Sequence, residues 1–241
     1  MSRVGLALLA AVAATAFAVP AAAQQPQRPA FQTTKVEGTD NVYIFRYQNH
    51  QAMFVVTPAG VIATDPISYG RPQAAVTYVD EIKKITKAPI KYLIYSHHHY
   101  DHAAGGKPFK DAGARIVAHK RATERLKILK DAATPVPDES VNDKKVIKLG
   151  GTTLELHYTG RNHSDSSLVM FLPKEKIIFA VYFNSLGAVP SRLAVNDSYP
   201  TEWEASLKKT LDLKWERMIR ATPVRTTGSG RAPTWSSSLP S

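Results

Sequence analysis

Four of the eight histidines in this 241-residue chain lie within six residues, directly after an apolar segment with the composition of a buried strand. The apolar segment covers residues 90–95, and a glycine pair, Gly105-Gly106, follows the histidines. The sequence between them reads His97-His98-His99-Tyr100-Asp101-His102. A solvated histidine-rich loop with incidental metal affinity is one interpretation, but such a tract is not expected between a strand and a glycine pair. The pattern indicates a site at the end of a strand.

The spacing of these side chains predicts a metal site. Residues two apart on an extended strand point the same way, so His97 and His99 are expected to converge on one ion while His98 faces elsewhere. Asp101 and His102, just past the bend, can face the same cavity from another side. Zinc binds histidine nitrogens at about 2.0–2.1 Å, and three protein ligands plus a water form its usual open catalytic arrangement. Because the chain has no cysteine, disulfides and thiolate ligands are excluded, and nitrogen and oxygen atoms must hold any metal.

The N-terminus has the pattern of a signal peptide. Arg3 precedes an apolar run over residues 4–19, and Ala21-Ala22-Ala23 supplies the small residues of a cleavage site. The run is shorter than the roughly 20 residues of a membrane span, which disfavours an uncleaved anchor. We therefore expect a signal peptide over residues 1–23, a periplasmic or secreted protein, and no stable membrane insertion after cleavage.

The net charge of +11 does not by itself indicate a nucleic-acid partner. Part of it lies near the termini, at Arg3, Arg220, Arg225 and Arg231. The remaining basic excess is moderate and typical of a solvated face. No interleaved aromatic platform accompanies the densest basic cluster, over residues 107–130. A small-molecule substrate is expected and nucleic acid is not; no pattern specifies an oligomeric state.

The order of predicted elements favours an α/β fold of two sheets packed face to face with helices outside. Strands are expected before and after a first helix over residues 74–85, a second helix over residues 120–130, and a last helix over residues 201–211. The first helix is predicted to bury a face with apolar residues spaced three apart: Val76, Val79, Ile82 and Ile85. A polar lead-in over residues 24–34 would precede one domain over residues 35–219.

The motif His97-x-His99-x-Asp101-His102, followed by Gly105-Gly106, resembles the signature of the metallo-β-lactamase superfamily, in particular its exported, cysteine-free members. The resemblance covers about residues 35–219 and includes a later loop, Thr159-Gly160-Arg161-Asn162-His163-Ser164-Asp165. It implies an αββα sandwich of two mixed sheets, with the site at one edge. It also implies one or two Zn2+ ions, with His97, His99 and His163 as ligands of the first and Asp101 and His102 as ligands of the second.

Two positions depart from the pattern that the resemblance implies. Tyr182 follows the Phe179-Ala180-Val181 segment where an aspartate bridging both metals is expected. After Ile219 the expected Pro-Gly-His turn is replaced, and no histidine occurs beyond His163. Residues 220–241 therefore form an anomalous tail, interpreted either as a disordered segment or as the product of a frameshift. Reading the codons one base earlier can spell a Gly-His pair at this point.

The resemblance implies a metal-dependent hydrolase in which a zinc-bound hydroxide attacks a small carbonyl or ester-type substrate of the β-lactam, lactone or thioester class. Asp101 is the predicted catalytic residue, because it could orient or deprotonate the attacking water. The alternative is a metal-binding pseudoenzyme or scavenger with only the first metal site intact. Tyr182 and the missing histidine favour that alternative for this chain.

Overall fold

The computed structural model describes residues 29–182 and 197–222. The predicted signal peptide and almost all of the anomalous tail lie outside these residues. In the described ranges, no helix is both long enough and apolar enough to cross a membrane.

Two mixed sheets form the centre of the fold, as the sequence predicts. The first sheet has seven strands in sequential order: β1 (Phe31–Lys35), β2 (Val42–Tyr47), β3 (His50–Thr57), β4 (Gly60–Thr64), β5 (Ile90–Ile94), β6 (Arg115–His119) and β7 (Glu139–Val141). Strands β1 to β4 pair antiparallel, and β4 to β7 pair parallel. The second sheet has the order β12-β11-β10-β9-β8, from these strands: β8 (Lys144–Leu149), β9 (Thr152–His157), β10 (Val169–Leu172), β11 (Ile177–Ala180) and β12 (Arg217–Arg220). Only the β11–β12 pair is parallel there.

Within the described ranges, five helices accompany the sheets: α1 (Ala74–Ile85), α2 (Tyr100–Ala103), α3 (Lys107–Asp111), α4 (Lys120–Leu129) and α5 (Pro200–Leu211). The predicted extent of α1 is confirmed, but its predicted buried face is partly wrong. Val76 and Ile85 are exposed, whereas Ala75, Tyr78 and Ile82 are buried. A row of residues spaced three apart drifts around the helix, so Val76 and Ile85 lie about 180° from each other.

Side-chain alternation on the strands creates three apolar layers. On β3, Met53 and Val55 pack between the two sheets, while Phe54 packs against the helices outside the first sheet. On the outer face of the second sheet, Phe171 and Ile178 belong to a smaller cluster that includes residues of and after α5. Helices therefore cover both outer faces, which confirms the αββα sandwich.

The ends of the domain differ from the predicted boundaries. Strand β1 begins at Phe31, inside the segment interpreted as a polar lead-in. It is an edge strand with mostly exposed side chains, so its sequence lacks the apolar alternation of the other strands. At the other end, β12 runs to Arg220 and Ala221 is buried, so the first residues of the anomalous tail belong to the sandwich.

Candidate metal centre

The end of β5 and the short helix α2 together position the histidine motif. His97 lies just beyond β5, and His99 caps the N-terminus of α2 with extended backbone angles. Asp101 and His102 then lie in the single turn of α2. The change from strand-like to helical backbone turns their side chains to a different side of the cavity from those of His97 and His99.

A loop from the second sheet brings His163 to the same place. The Leu168 N–H donates to the Ser96 carbonyl at 2.8 Å, which ties this loop to the end of β5. Asp165 forms a bidentate ion pair with Arg125 of α4, with N–O distances of 2.7 and 2.8 Å. Both contacts tie the loop to the first sheet and its helix α4.

We call His97, His99 and His163 the first cluster. One ligand atom from each lies within 4.8 Å of the others, and His99 Nδ1 is 3.0 Å from His163 Nε2. His97 is completely buried and His163 is 6% exposed. The first cluster therefore gathers the three residues assigned to the first metal, at a spacing that suits one ion.

We call His50, Asp101 and His102 the second cluster, and their ligand atoms also lie within 4.8 Å of one another. Asp101 Oδ2 is 3.3 Å from His50 Nε2 and 3.6 Å from His102 Nε2. The Tyr182 hydroxyl donates to Asp101 Oδ2 at 2.9 Å and lies 3.2 Å from His50 Nε2. The structure thus adds His50, which the motif does not contain, to the two residues assigned to the second metal.

Tyr182 lies between the two clusters. Its ring centroid is 5.0 Å from those of His102 and His163. Its φ of +59° is in the left-handed region, which asparagine and aspartate adopt more readily than an aromatic residue. The backbone at this position therefore suits the aspartate that the resemblance implies better than it suits tyrosine.

His98 does not belong to the first cluster. Its Nδ1 lies 2.8 Å from Ser166 Oγ, and its Nε2 lies 3.0 Å from Asp197 Oδ2. The same oxygen of Asp197 is 2.9 Å from His99 Nε2, while His99 Nδ1 faces His163. Asp197, which the sequence did not indicate, can thus fix the ring orientation of His99 from outside the cluster.

A buried carboxylate, Asp65, holds one histidine of each cluster. It is fully buried after β4 and accepts from the Ser96 N–H and the Ser96 hydroxyl, both at 2.7 Å, and from His102 Nδ1 at 3.0 Å. Because the Ser96 hydroxyl gives its hydrogen to Asp65, it accepts from His97 Nδ1 at 2.9 Å. Both imidazoles therefore carry a proton on Nδ1 and direct the Nε2 lone pair toward the clusters.

The electrostatics keep these ligands in their metal-binding forms. Burial, reinforced by the neighbouring imidazoles, holds the pKa of His97 well below its usual value, and burial lowers the pKa of His163 to about 3. Burial acts to raise the pKa of Asp101, but the hydrogen bonds with His50 and Tyr182 and the proximity of His102 outweigh it and lower that pKa. At neutral pH His97 and His163 are therefore neutral imidazoles and Asp101 is a carboxylate.

The pKa of Tyr182 is shifted in the opposite direction from those of His97, His163 and Asp101. Burial and the neighbouring Asp101 carboxylate raise the pKa of its phenol above the ordinary value. At neutral pH Tyr182 therefore keeps its proton and acts as a hydrogen-bond donor.

The residues present fit a metal. The Nε2 atoms of His97 and His102 are buried and have no hydrogen-bond partner in the parts of the chain that the structure describes. Leaving a buried polar atom unsatisfied costs about 1–3 kcal/mol, and a bound cation would remove that cost. Nitrogen and carboxylate donors in this number are ligands that zinc accepts.

Three functional candidates escaped the sequence-based prediction. His50 and Asp197 are distant from the motif in sequence, and neither lies in a recognisable pattern. For Asp65 a signal existed, because an ionisable residue only two positions after the apolar strand segment at residues 61–63 must be paired if the strand is buried.

Residues 63–214 match the family model described as the metallo-beta-lactamase superfamily. The 2,4-dinitroanisole O-demethylase subunit alpha of Nocardioides sp. (strain JS1661) is 24% identical over 198 residues, which cover 79% of this chain and 57% of that protein. A metallo-beta-lactamase type 2 of Elizabethkingia meningoseptica is 24% identical over 176 residues, covering 70% of this chain and 69% of that one. The chain thus spans just over half the length of the first relative.

The fold is also that of solved structures. A metallo-beta-lactamase from Pontibacter korlensis superposes with a TM-score of 0.70 at 19% identity, covering 80% of this chain and 92% of the other. At this identity the likeness is one of fold.

Proposed function

The chain belongs to the metallo-beta-lactamase superfamily, and from this premise we propose that it is a zinc-dependent hydrolase acting on small carbonyl or ester-type substrates. The observation that carries the proposal is the pair of buried Nε2 atoms of His97 and His102, which have no hydrogen-bond partner among the described residues and belong to two neighbouring clusters of ligand atoms. A histidine-lined cavity that served only packing would satisfy those nitrogens within the protein.

Each cluster has a distinct part in the proposed chemistry. Zinc, when bound, would supply a water of lowered pKa and would polarise the carbonyl of the substrate. His97, His99 and His163 would hold the first ion, with the half-buried His99 at the more open side of the cluster and the other two buried. The buried Asp65, through Ser96 and His102, fixes the orientation of two of the rings.

Asp101 is proposed to orient the attacking water rather than to take its proton. A carboxylate with a lowered pKa is a weak base at neutral pH, but it remains a strong hydrogen-bond acceptor. Tyr182 donates to the same carboxylate oxygen. The phenol thus restrains Asp101 and keeps a neutral donor close to both clusters.

The proposed substrates are β-lactams, lactones and thioesters, all of which present a carbonyl that water can attack. The names of the relatives are consistent with more than one chemistry, since one is a metallo-beta-lactamase and another an O-demethylase subunit. The N-terminal apolar run and its alanine-rich end support export to the periplasm or beyond. That location would give access to small extracellular substrates.

The test is turnover that depends on zinc. The purified protein would be assayed on a panel of β-lactam, lactone and thioester substrates as prepared, after chelation, and after zinc is restored. We expect hydrolysis of at least one class, loss on chelation and recovery with zinc. Absence of turnover on every class by the zinc-loaded protein would contradict the proposal.

Tyr182 gives a specific reason to weigh a second candidate, a metal-binding scavenger. A neutral phenol at this position cannot bridge two cations as a carboxylate does. The scavenger would bind zinc in the first cluster and would release it without hydrolysing any of the panel. Bound zinc with no turnover would therefore favour the scavenger over the hydrolase.

A further inference from the structure

His50 reaches the second cluster from a part of the fold that the histidine motif does not include. It opens β3, directly after the tight turn that follows β2, and it pairs with Tyr47 across the hairpin. The next residue, Gln51, donates its N–H to the Ala221 carbonyl at 2.6 Å and its side-chain amide to the Arg220 carbonyl at 2.9 Å. The hairpin is therefore clamped to the end of β12, which fixes the backbone of His50 at the rim of the cavity.

Two distances in the second cluster, one of them the His50–Asp101 hydrogen bond, are close to the ligand spacing of a coordination shell. His50 Nε2 lies 3.3 Å from Asp101 Oδ2, and Asp101 Oδ2 lies 3.6 Å from His102 Nε2. In a tetrahedral site with bonds of about 2.0–2.1 Å, ligand atoms are roughly 3.3 Å apart. The Tyr182 hydroxyl, 3.2 Å from His50 Nε2, stands at a similar distance.

We propose that His50 is a protein ligand of a second metal ion, together with Asp101 and His102. The inference rests on the proposed function only in assuming that the cavity takes zinc. His50 would be the third protein ligand of this second site, for which the sequence motif indicates only Asp101 and His102. With Tyr182 adjacent, the ion would be held by two imidazoles and one carboxylate, and the phenol would remain a hydrogen-bond donor to Asp101.

The second ion is expected to bind more weakly than the first. His50 Nδ1 is buried without a hydrogen-bond partner within residues 29–182 and 197–222. If Nε2 binds the metal, Nδ1 carries a proton that has no acceptor there, whereas the Nδ1 atoms of His97 and His102 are held by Ser96 and Asp65. Outer partners of this kind contribute about 10–100-fold to metal affinity.

The experiment is a metal titration of the folded full-length protein and its variants. Zinc content after equilibrium dialysis gives the stoichiometry and affinity of each equivalent, and the visible absorption of the Co2+-loaded protein reports the ligand set. The variants are His50→Ala and His50→Gln, the second of which keeps side-chain bulk in case the first does not fold. His98→Ala is the matched control, because His98 is also a half-buried histidine near the site but lies outside the second cluster.

We expect the wild-type protein to bind two equivalents, and both His50 variants to weaken the second by at least about tenfold while the first is unchanged. The control should keep both equivalents. An unchanged second equivalent in either folded His50 variant would overturn the proposal, and so would a wild-type protein that binds one equivalent at saturating zinc. In the last case, turnover would leave the proposed hydrolase standing. Two bound equivalents without turnover, of which only the second depends on His50, would support the ligand assignment and refute the hydrolase.

Discussion

The two clusters lie side by side but differ in how completely the surrounding protein supports them. In the first cluster, His97 is held through Ser96 and His99 is held by Asp197, so most of the ligand orientations are fixed before a metal arrives. In the second cluster the ring of His102 has such a partner, at Asp65, while the ring of His50 has none for its Nδ1 among the described residues. Preorganised ligands lose less conformational entropy on binding, so the first cluster should bind metal more tightly.

The second cluster also holds a competitor for the metal. The Tyr182 hydroxyl donates to Asp101 Oδ2, and this oxygen is the same atom that faces His50 and His102. A bound ion must therefore share this oxygen with the phenol. Ligand count alone does not set affinity, because the partners behind each ligand and the groups already bonded to it also contribute.

The largest expected effect is loss of the first ion in His97→Ala. The variant removes a wholly buried ligand whose Nε2 has no other partner in the described chain, so no neighbouring group can replace it. Zinc analysis after dialysis should show that the tightest equivalent is gone. In His98→Ala that equivalent should be nearly unchanged, because His98 bonds to Ser166 and Asp197 instead. If the two variants lose zinc equally, the distinction between the clustered and the outward-facing histidine is wrong.

An intermediate effect is expected from Asp65→Asn, which should weaken both clusters at once. The asparagine oxygen could still accept from the Ser96 N–H, but its amide would then face the Ser96 hydroxyl and His102 Nδ1 as a donor. The proton of His102 would move to Nε2 and block the lone pair that faces the metal. Affinity for both equivalents should fall by about 10–100-fold in a competition titration with a chromophoric chelator.

Thr64→Ser is a suitable control for Asp65→Asn, since Thr64 is equally buried but its hydroxyl bonds only to the backbone of Met53. Its metal affinities should match those of the wild-type protein. A change confined to one cluster in Asp65→Asn would show that the shared carboxylate does not couple the two.

The smallest expected effect is a gain, from Tyr182→Asp. The change places a carboxylate between the clusters and relieves the left-handed backbone strain of an aromatic residue. The second equivalent should bind about tenfold more tightly, and the first should change little, because its ligands keep their outer partners. Isothermal titration of each equivalent measures both.

Tyr182→Phe separates the two causes of that gain. It removes the hydrogen bond to Asp101 but adds no ligand, so any tightening should be smaller than in Tyr182→Asp. Equal affinities in the two variants would mean that freeing Asp101, rather than supplying a carboxylate, is what limits the second cluster.

Most of the fold could be predicted from local patterns. Strand β9 shows apolar alternation and β5 an apolar run. Both patterns arise because buried positions require apolar residues at regular spacing along the strand. An edge strand such as β1 has a weak apolar pattern, because most of its side chains are exposed to solvent. For this reason β1 was not predicted. The face of α1 was misassigned for a related reason: spacing by three is close to the helical period but does not equal it.

The sequence by itself determined the composition of the first cluster, since two of its histidines follow from strand alternation and the third from a recognisable loop. Only the tertiary structure decided what stands behind and beside those ligands. Asp65, Asp197 and His50 come from other elements, and their proximity to the motif depends on the packing of β4, of the segment before α5, and of the β2–β3 hairpin against β5 and α2. Local patterns report which face of an element is buried, but which partner shares that buried space is settled by long-range packing.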